Sequence, residues 1–318
     1  MGVIYNIKSG KNTKAYYYIK CFCRRLIPSV IFRIKRKSVL KHAAERNDFE
    51  YIMSRVNYYN KLTTQTTLDI NSISVKNLKK GEASSSYYHD TLEYTRWFST
   101  NKKIAVEWGD VTYVPKQPSI VKSRPIEGNN KNSVVLKLDK IRHFLFVNDR
   151  SNWHDKENRV IFRGKIPGKE KRERFFNTYF GNPLCDLGDT SRNGKPEWRT
   201  GKRTIEEHLK FKFILALEGN DVASNLKWVM SSGSIAVMPK PEYETWFMEG
   251  KLIPGIHYIE INKDFSNLEE RIDYYIRHEK EAMEIIKNAN EYVRQFMDNE
   301  REKIISLLTL DKYFSFTN

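Results

Sequence analysis

No apolar run in these 318 residues approaches the roughly 20 that a membrane-spanning helix needs, and the N-terminus lacks the apolar stretch of a secretory leader. A cytosolic protein is expected. Cysteine is scarce: Cys21, Cys23 and Cys185 cannot build a disulfide framework and suit a reducing compartment. The Cys21-x-Cys23 pair has no two further ligands nearby at zinc spacing, so no metal is expected there. No Asp-x-Asp followed by further carboxylates appears either, so the chemistry is expected to need no metal and no cofactor. Internal repeats and low-complexity segments are absent, which excludes repeat architectures. Acidic residues are missing from the first 44 positions, where 11 Lys and Arg stand.

That last absence localises the net charge of +16. The other 274 residues hold 44 basic against 39 acidic side chains, a net of +5. Basic character is gathered in TKAYYYIKCFCRRLI and SVIFRIKRKSVLKHA, where Ile27, Val30, Ile31 and Ile34 recur at helical spacing beside Arg33, Lys35, Arg36 and Lys37. Residues 14–43 therefore read either as a basic amphipathic segment lying on an anionic membrane surface or as a helix with a solvated basic side. The first reading makes the protein peripheral on the inner face of the plasma membrane. Nucleic acid is the alternative partner, with Tyr16, Tyr17 and Tyr18 as a stacking platform, but no nucleic-acid motif accompanies them and that partner is not expected.

With 40% hydrophobic residues the chain can bury a sizeable core, and its length favours two domains, 1–150 and 151–318. Helices are expected over 45–62 and 85–98, and strands in KKIAVEWGDV, SVVLKL and RHFLFV. Pro115 to Asn132 reads as a loop. Further strands are expected in RVIFRG, FKFILAL, SIAVM and HYIEI, and one long or two shorter helices over Leu268–Leu308. Alternating strands and helices give an α/β protein with parallel sheets. In FKFILALEGNDVASNLKWVMSSGSIAVM a strand breaks at Glu218, Gly219, Asn220 and Asp221. A helix capped by Asn220 or Asp221 follows, then another strand. Such an order offers helix N-termini to a phosphate.

The blocks EGNDVASNLKW at 218–228, SSGSIAVM at 231–238, Glu-Tyr-x-x-Trp-Phe at 242–247 and LIPGIHYIEI at 252–261 resemble glycosyltransferase family 90. Upstream, GDV at 109–111, PSIVKSRPI at 118–126, LKLDKIRHF at 136–144 and FRGK at 162–165 extend the likeness to about half the chain. The bacterial lipopolysaccharide A proteins look closest; eukaryotic protein O-glucosyl- and O-xylosyltransferases are the wider family. The resemblance implies a GT-B arrangement of two Rossmann-like domains facing a cleft, with the C-terminal one holding the sugar nucleotide. It implies inverting transfer of glucose or galactose from a UDP-sugar to a lipopolysaccharide core or related glycolipid. Transfer to a protein is the alternative acceptor chemistry.

Transfer needs a base at the acceptor hydroxyl. Asp110, after the strand AVEWGDV, is the candidate, and the resemblance points to the same residue; the plainer alternative is a turn-capping Asp. Glu107 is a weaker contender. The departing diphosphate needs fixed cations or amides. Arg163, Gly164, Lys165, Lys169 and Arg172 follow one strand, and Lys171 or Arg172 is the second family arginine. Gly219, Asn220, Asp221, Ser224, Asn225 and Lys227 follow the next strand. Asn225 stands where eukaryotic relatives carry an arginine, and Asp221 suits a cap or a sugar hydroxyl better than a diphosphate. Lys122 and Arg124 face either the donor or an acidic acceptor. His143 and His257 read as satisfied, half-buried rings.

Overall fold

The computed structural model describes residues 13–70, 72–80 and 85–318. Residues 1–12, the start of the expected N-terminal domain, lie outside the described residues. The chain forms α1 (Lys14–Leu26), α2 (Ser29–Ala44), α3 (Phe49–Tyr59), β1 (Ile73–Ser74), α4 (Ser85–Thr95), β2 (Lys103–Ile104), β3 (Val106–Glu107), β4 (Ser119–Val121), β5 (Ser123–Pro125) and β6 (Ser133–Val135). It continues through β7 (Glu157–Gly164), α5 (Glu170–Tyr179), β8 (Cys185–Asp189), α6 (Ile205–His208), β9 (Phe211–Leu215), α7 (Leu226–Met230), β10 (Ile235–Met238), β11 (Tyr243–Thr245), β12 (Ile259–Glu260), α8 (Leu268–Arg277), α9 (Glu279–Arg294) and α10 (Asn299–Thr317). Among the described residues no helix is long and apolar enough to cross a membrane.

Two compact units result. A central unit holds Arg142–Pro241 and Glu249–Gln295; an N-terminal unit holds Lys14–Ile141, Glu242–Met248 and Phe296–Asn318. A single cut near residue 150 does not describe this division. The chain leaves the N-terminal unit after Ile141 and returns to it twice.

The central unit is a five-stranded sheet in the order β12-β10-β9-β7-β8, parallel throughout. Read from the β8 edge, the chain order is second, first, third, fourth, fifth, a doubly wound arrangement whose winding direction reverses between β7 and β9. Its strands are apolar in succession because both faces are covered; every residue of β9 is buried. Phe175 and Phe176 of α5 join Val160, Phe162, Phe213, Leu215 and Val237 in the core. Leu268, Ile272, Ala282 and Ile285 bring α8 and α9 onto the same cluster. Where one long or two shorter helices were expected over 268–308, there are three. The Asp298 carboxylate caps the last by accepting the N–H groups of Glu300 and Arg301 at 3.0 Å, and α10 belongs to the N-terminal unit.

The N-terminal unit has a three-stranded parallel sheet, β3-β4-β6, and two antiparallel pairs, β1-β2 and β5-β11. The strand expected in KKIAVEWGDV is two pieces of two residues each. The expected loop of 115–132 contains β4 and β5. Its lysine and arginine disguised them: Lys122 and Arg124 are buried, paired with Asp110 and Glu244. RHFLFV forms no strand, for Phe144 sits at φ +58°, outside the extended region, and Val147 donates its N–H to Ser231 Oγ. At the heart of the unit Tyr59 stacks on Trp246, ring centres 3.9 Å apart. Beside them Glu302 accepts Arg55 Nη1 at 2.6 Å, Lys137 Nζ at 2.8 Å and Trp246 Nε1 at 2.6 Å.

Candidate active site

Ligands of doubly wound sheets bind beyond the strand carboxyl ends, where the winding reverses. Here that point is bounded by Gly164, at the end of β7, and by the segment Ala216–Gly219 after β9. Arg172, in the first turn of α5, joins the two: its Nη1 donates to Lys165 O and its Nη2 to Leu217 O, both at 3.0 Å. The guanidinium lies over the Phe162 ring, 5.4 Å from its centre. A Cβ on Gly219 would fall 2.9 Å from Arg172 Nη2, so any other residue here would push the guanidinium aside. Arg172 Nε is buried without a hydrogen-bond partner, and no ion pair among the described residues includes Arg172. Burial pulls its pKa down to about 10, with Asp221 pushing the other way. A cation held this way is relieved by an anionic ligand.

The geometry separates Arg172 from Lys171, whose Nζ pairs with Glu218 at 2.5 Å. It also separates Arg172 from Arg163. The Arg163 guanidinium turns along the sheet to the carboxylate of Asp186 on β8 and donates to Asp186 O at 2.7 Å; Arg203 holds the other carboxylate oxygen at 3.0 Å. Lys165 is exposed, and Lys169 reaches Asn220 Oδ1. Ser224 is half-buried before α7. Asn225 Nδ2 donates to Leu215 O at 3.0 Å, tying the start of α7 to the end of β9.

Three expectations here need correction. Asn220 and Asp221 cap no helix, because α7 begins only at Leu226. Lys227 does not open onto a donor: its ammonium is 1% exposed and paired with Glu249. Arg124, expected at a ligand, is fully buried. It donates to Glu244 Oε1 at 2.8 Å, Tyr58 O at 2.8 Å, Ser133 O at 3.1 Å and Tyr59 O at 3.3 Å, which occupies its guanidinium inside the N-terminal unit.

In that unit Gly109, at φ +128°, turns the chain out of β3 and presents Asp110. Lys122 Nζ donates to Asp110 Oδ1 at 2.6 Å and the Tyr87 hydroxyl lies 3.4 Å from the same oxygen. Lys122 is 1% exposed and Asp110 21%, so the pair is a carboxylate oriented from behind and open in front. Glu107 instead accepts the Tyr113 hydroxyl at 3.2 Å. Of the two expected rings, His143 is buried and His257 is half-buried, its Nδ1 accepting Ile253 N–H at 2.9 Å; burial lowers the His257 pKa. The tyrosine platform is not assembled. Tyr17 donates to Asp90 at 2.8 Å and Tyr18 shares a hydrogen bond with Ser85 Oγ at 2.7 Å, leaving Tyr16 outward.

The sequence model of glycosyl transferase family 90 matches residues 134–313, more than half of the chain. The chain belongs to glycosyltransferase family 90. It is 40% identical over 265 residues to the O-glucosyltransferase LpsA of Dichelobacter nodosus, a match covering 83% of each protein. Human protein O-glucosyltransferase 3 is 26% identical over 173 residues, 52% of this chain and 34% of that protein. Human protein O-glucosyltransferase 1 is 23% identical over 155 residues, 46% and 38% respectively. The family 90 match includes the Arg172 site and begins after Asp110.

One buried carboxylate at the same end of the sheet was not singled out from the sequence. Asp189, fully buried at the end of β8, accepts Ser191 N at 2.8 Å, Ser191 Oγ at 2.7 Å and Ile166 N at 3.3 Å. It fixes the loops after β7 and β8. The strand it ends, Cys-Asp-Leu-Gly-Asp, has too few apolar residues to stand out in the sequence.

Proposed function

We propose that this glycosyltransferase moves a hexose from a UDP-sugar to a glycolipid acceptor of the lipopolysaccharide core type, inverting the anomeric centre without a metal ion. Glucose is the favoured hexose, since the bacterial relative covering most of the chain is named an O-glucosyltransferase; galactose is the second choice. The observation that carries the donor site is Arg172, a cation in no ion pair among the described residues, at the point where the sheet's winding reverses. The diphosphate lies against its guanidinium, where the loops after Gly164 and Gly219 approach it, and the cation offsets the charge that develops as UDP leaves. Asp110 accepts the proton of the acceptor hydroxyl while that oxygen bonds to the anomeric carbon and UDP departs with the electron pair of the broken bond. Lys122 and Tyr87 hold the carboxylate in place.

Calorimetric titration of the full chain with UDP in EDTA tests this reading. Saturable binding that Arg172→Gln weakens and Arg163→Ala leaves nearly unchanged supports it, and a screen of UDP-sugars for hydrolysis then identifies the donor. Absence of UDP binding, or binding that appears only with manganese, overturns it.

A further inference from the structure

The helix pair α1 and α2 has two faces with different fates. The inner face is built into the N-terminal unit. Tyr17 and Tyr18 bond to α4 residues, Cys21 and Ala43 are buried, Arg24 pairs with Glu93, and Arg36 pairs with Asp311 of α10 at 2.6 Å. The corner between the helices is fixed as well: Arg96 donates to Arg24 O and Ile27 O, and its guanidinium lies 4.1 Å from the centre of the Phe32 ring.

The outer face carries what a solvated helix has no use for. On α1 the exposed residues Tyr16, Ile19, Phe22 and Leu26 repeat at three- and four-residue intervals, one side of a helix. After the corner Ile27, Val30, Ile31 and Ile34 are exposed at helical spacing as well; Phe22 is 62% exposed and Ile34 73%. Lys14, Lys20, Arg25, Lys35, Lys37 and Lys41 are exposed on the same helices. A row of large apolar side chains rimmed by charge marks an interaction surface. Its occupant must carry negative charge, for residues 14–44 hold nine Lys and Arg and no acidic residue. A second copy of the chain would set cations against cations.

We infer that the outer face of α1 and α2 docks in the plane of an anionic bilayer surface, with Phe22, Leu26 and Ile34 entering the acyl boundary and the lysines meeting headgroup phosphates. Docking brings the N-terminal unit, which carries Asp110, to the membrane surface. It is independent of the transferase reading, because it requires no nucleotide.

The test is co-sedimentation of the full chain with vesicles of phosphatidylcholine, with and without phosphatidylglycerol, alongside UDP calorimetry on the same preparations. Binding to the anionic vesicles that weakens with salt is expected. Phe22→Ser with Ile34→Ser lowers partitioning more than about tenfold. Lys35→Gln with Lys37→Gln lowers it roughly 25-fold, about fivefold per cation. Lys280→Gln with Lys287→Gln, on α9, leaves it unchanged. All these side chains are exposed, so the thermal midpoint stays where it is. Equal loss in the α9 variant would mean that net charge binds the vesicles and would overturn the assignment. So would no vesicle binding, equal binding to neutral vesicles, or a concentration-dependent dimer abolished by Phe22→Ser with Ile34→Ser.

Discussion

The two units differ in how much they rely on buried charge. In the N-terminal unit Arg55, Lys122, Arg124 and Lys137 are buried and each meets a carboxylate: Glu302, Asp110, Glu244 and Glu302 again. The central unit is held mainly by apolar packing around its parallel sheet, with Lys156–Asp149 and Lys227–Glu249 as buried pairs. At its strand ends it leaves Arg172 without an ion pair. A charge sealed with its partner is scaffold, since removing either member strands the other. A charge kept partly buried without an ion pair is costly until an anion arrives, which is why a binding site is proposed there.

The contrast is broken most sharply at Asp110, the paired carboxylate that also faces outward. Asp110→Asn should lower transfer by roughly 10²–10⁴-fold, the loss of a general base, while calorimetry shows UDP affinity nearly intact; normal turnover would return Asp110 to scaffold. Next comes Glu244→Gln, which strands Arg124. Urea titration should show about 3–5 kcal/mol of lost stability, and a smaller loss would mean that the backbone carbonyls around Arg124 suffice. Arg172→Gln should do the reverse. It should cost about 1.5–3 kcal/mol of UDP affinity, the scale of a charged hydrogen bond, with little change in the urea midpoint; a stability loss matching that of Glu244→Gln would erase the distinction between the units.

The smallest effect concerns Asp90, which α4 buries against Tyr17 of α1 and the Lys140 N–H. Burial raises its pKa from 3.8 to about 6, with Lys140 opposing. The folded state therefore holds this proton more tightly than the unfolded chain. The stabilisation is complete below about pH 4 and is lost as pH rises through about 6. Urea midpoints taken from pH 4 to 7 should fall for the wild type relative to Asp90→Asn, and a gap independent of pH would dismiss Asp90 as the source.

The same contrast explains what could be read in advance. The parallel sheet, the α/β class and the family were legible because β7, β9 and β10 are runs of apolar residues ended by glycine or polar turns. The N-terminal unit was harder to read. Its strands are two or three residues long, and β4 and β5 flank or contain Lys122 and Arg124, whose partners lie 12 and 120 positions away. A polar residue in a short segment reads as loop unless its counter-ion is known. Arg172 was one candidate among several cations, and only geometry distinguished it from Lys171 and Arg163. Lys227 looked ligand-facing because Glu249, which neutralises it, follows 22 residues later.

The return of β11 and α10 to the N-terminal unit sets a timetable for synthesis. Arg124 leaves the ribosome 120 residues before Glu244, an interval of about 6–24 s at ordinary elongation rates of roughly 5–20 residues per second. Arg55 waits for Glu302 across 247 residues. Through that time the first half of the nascent chain carries guanidinium groups made for a closed interior and has none of their carboxylates. It cannot complete its core, so the N-terminal unit is the last to finish.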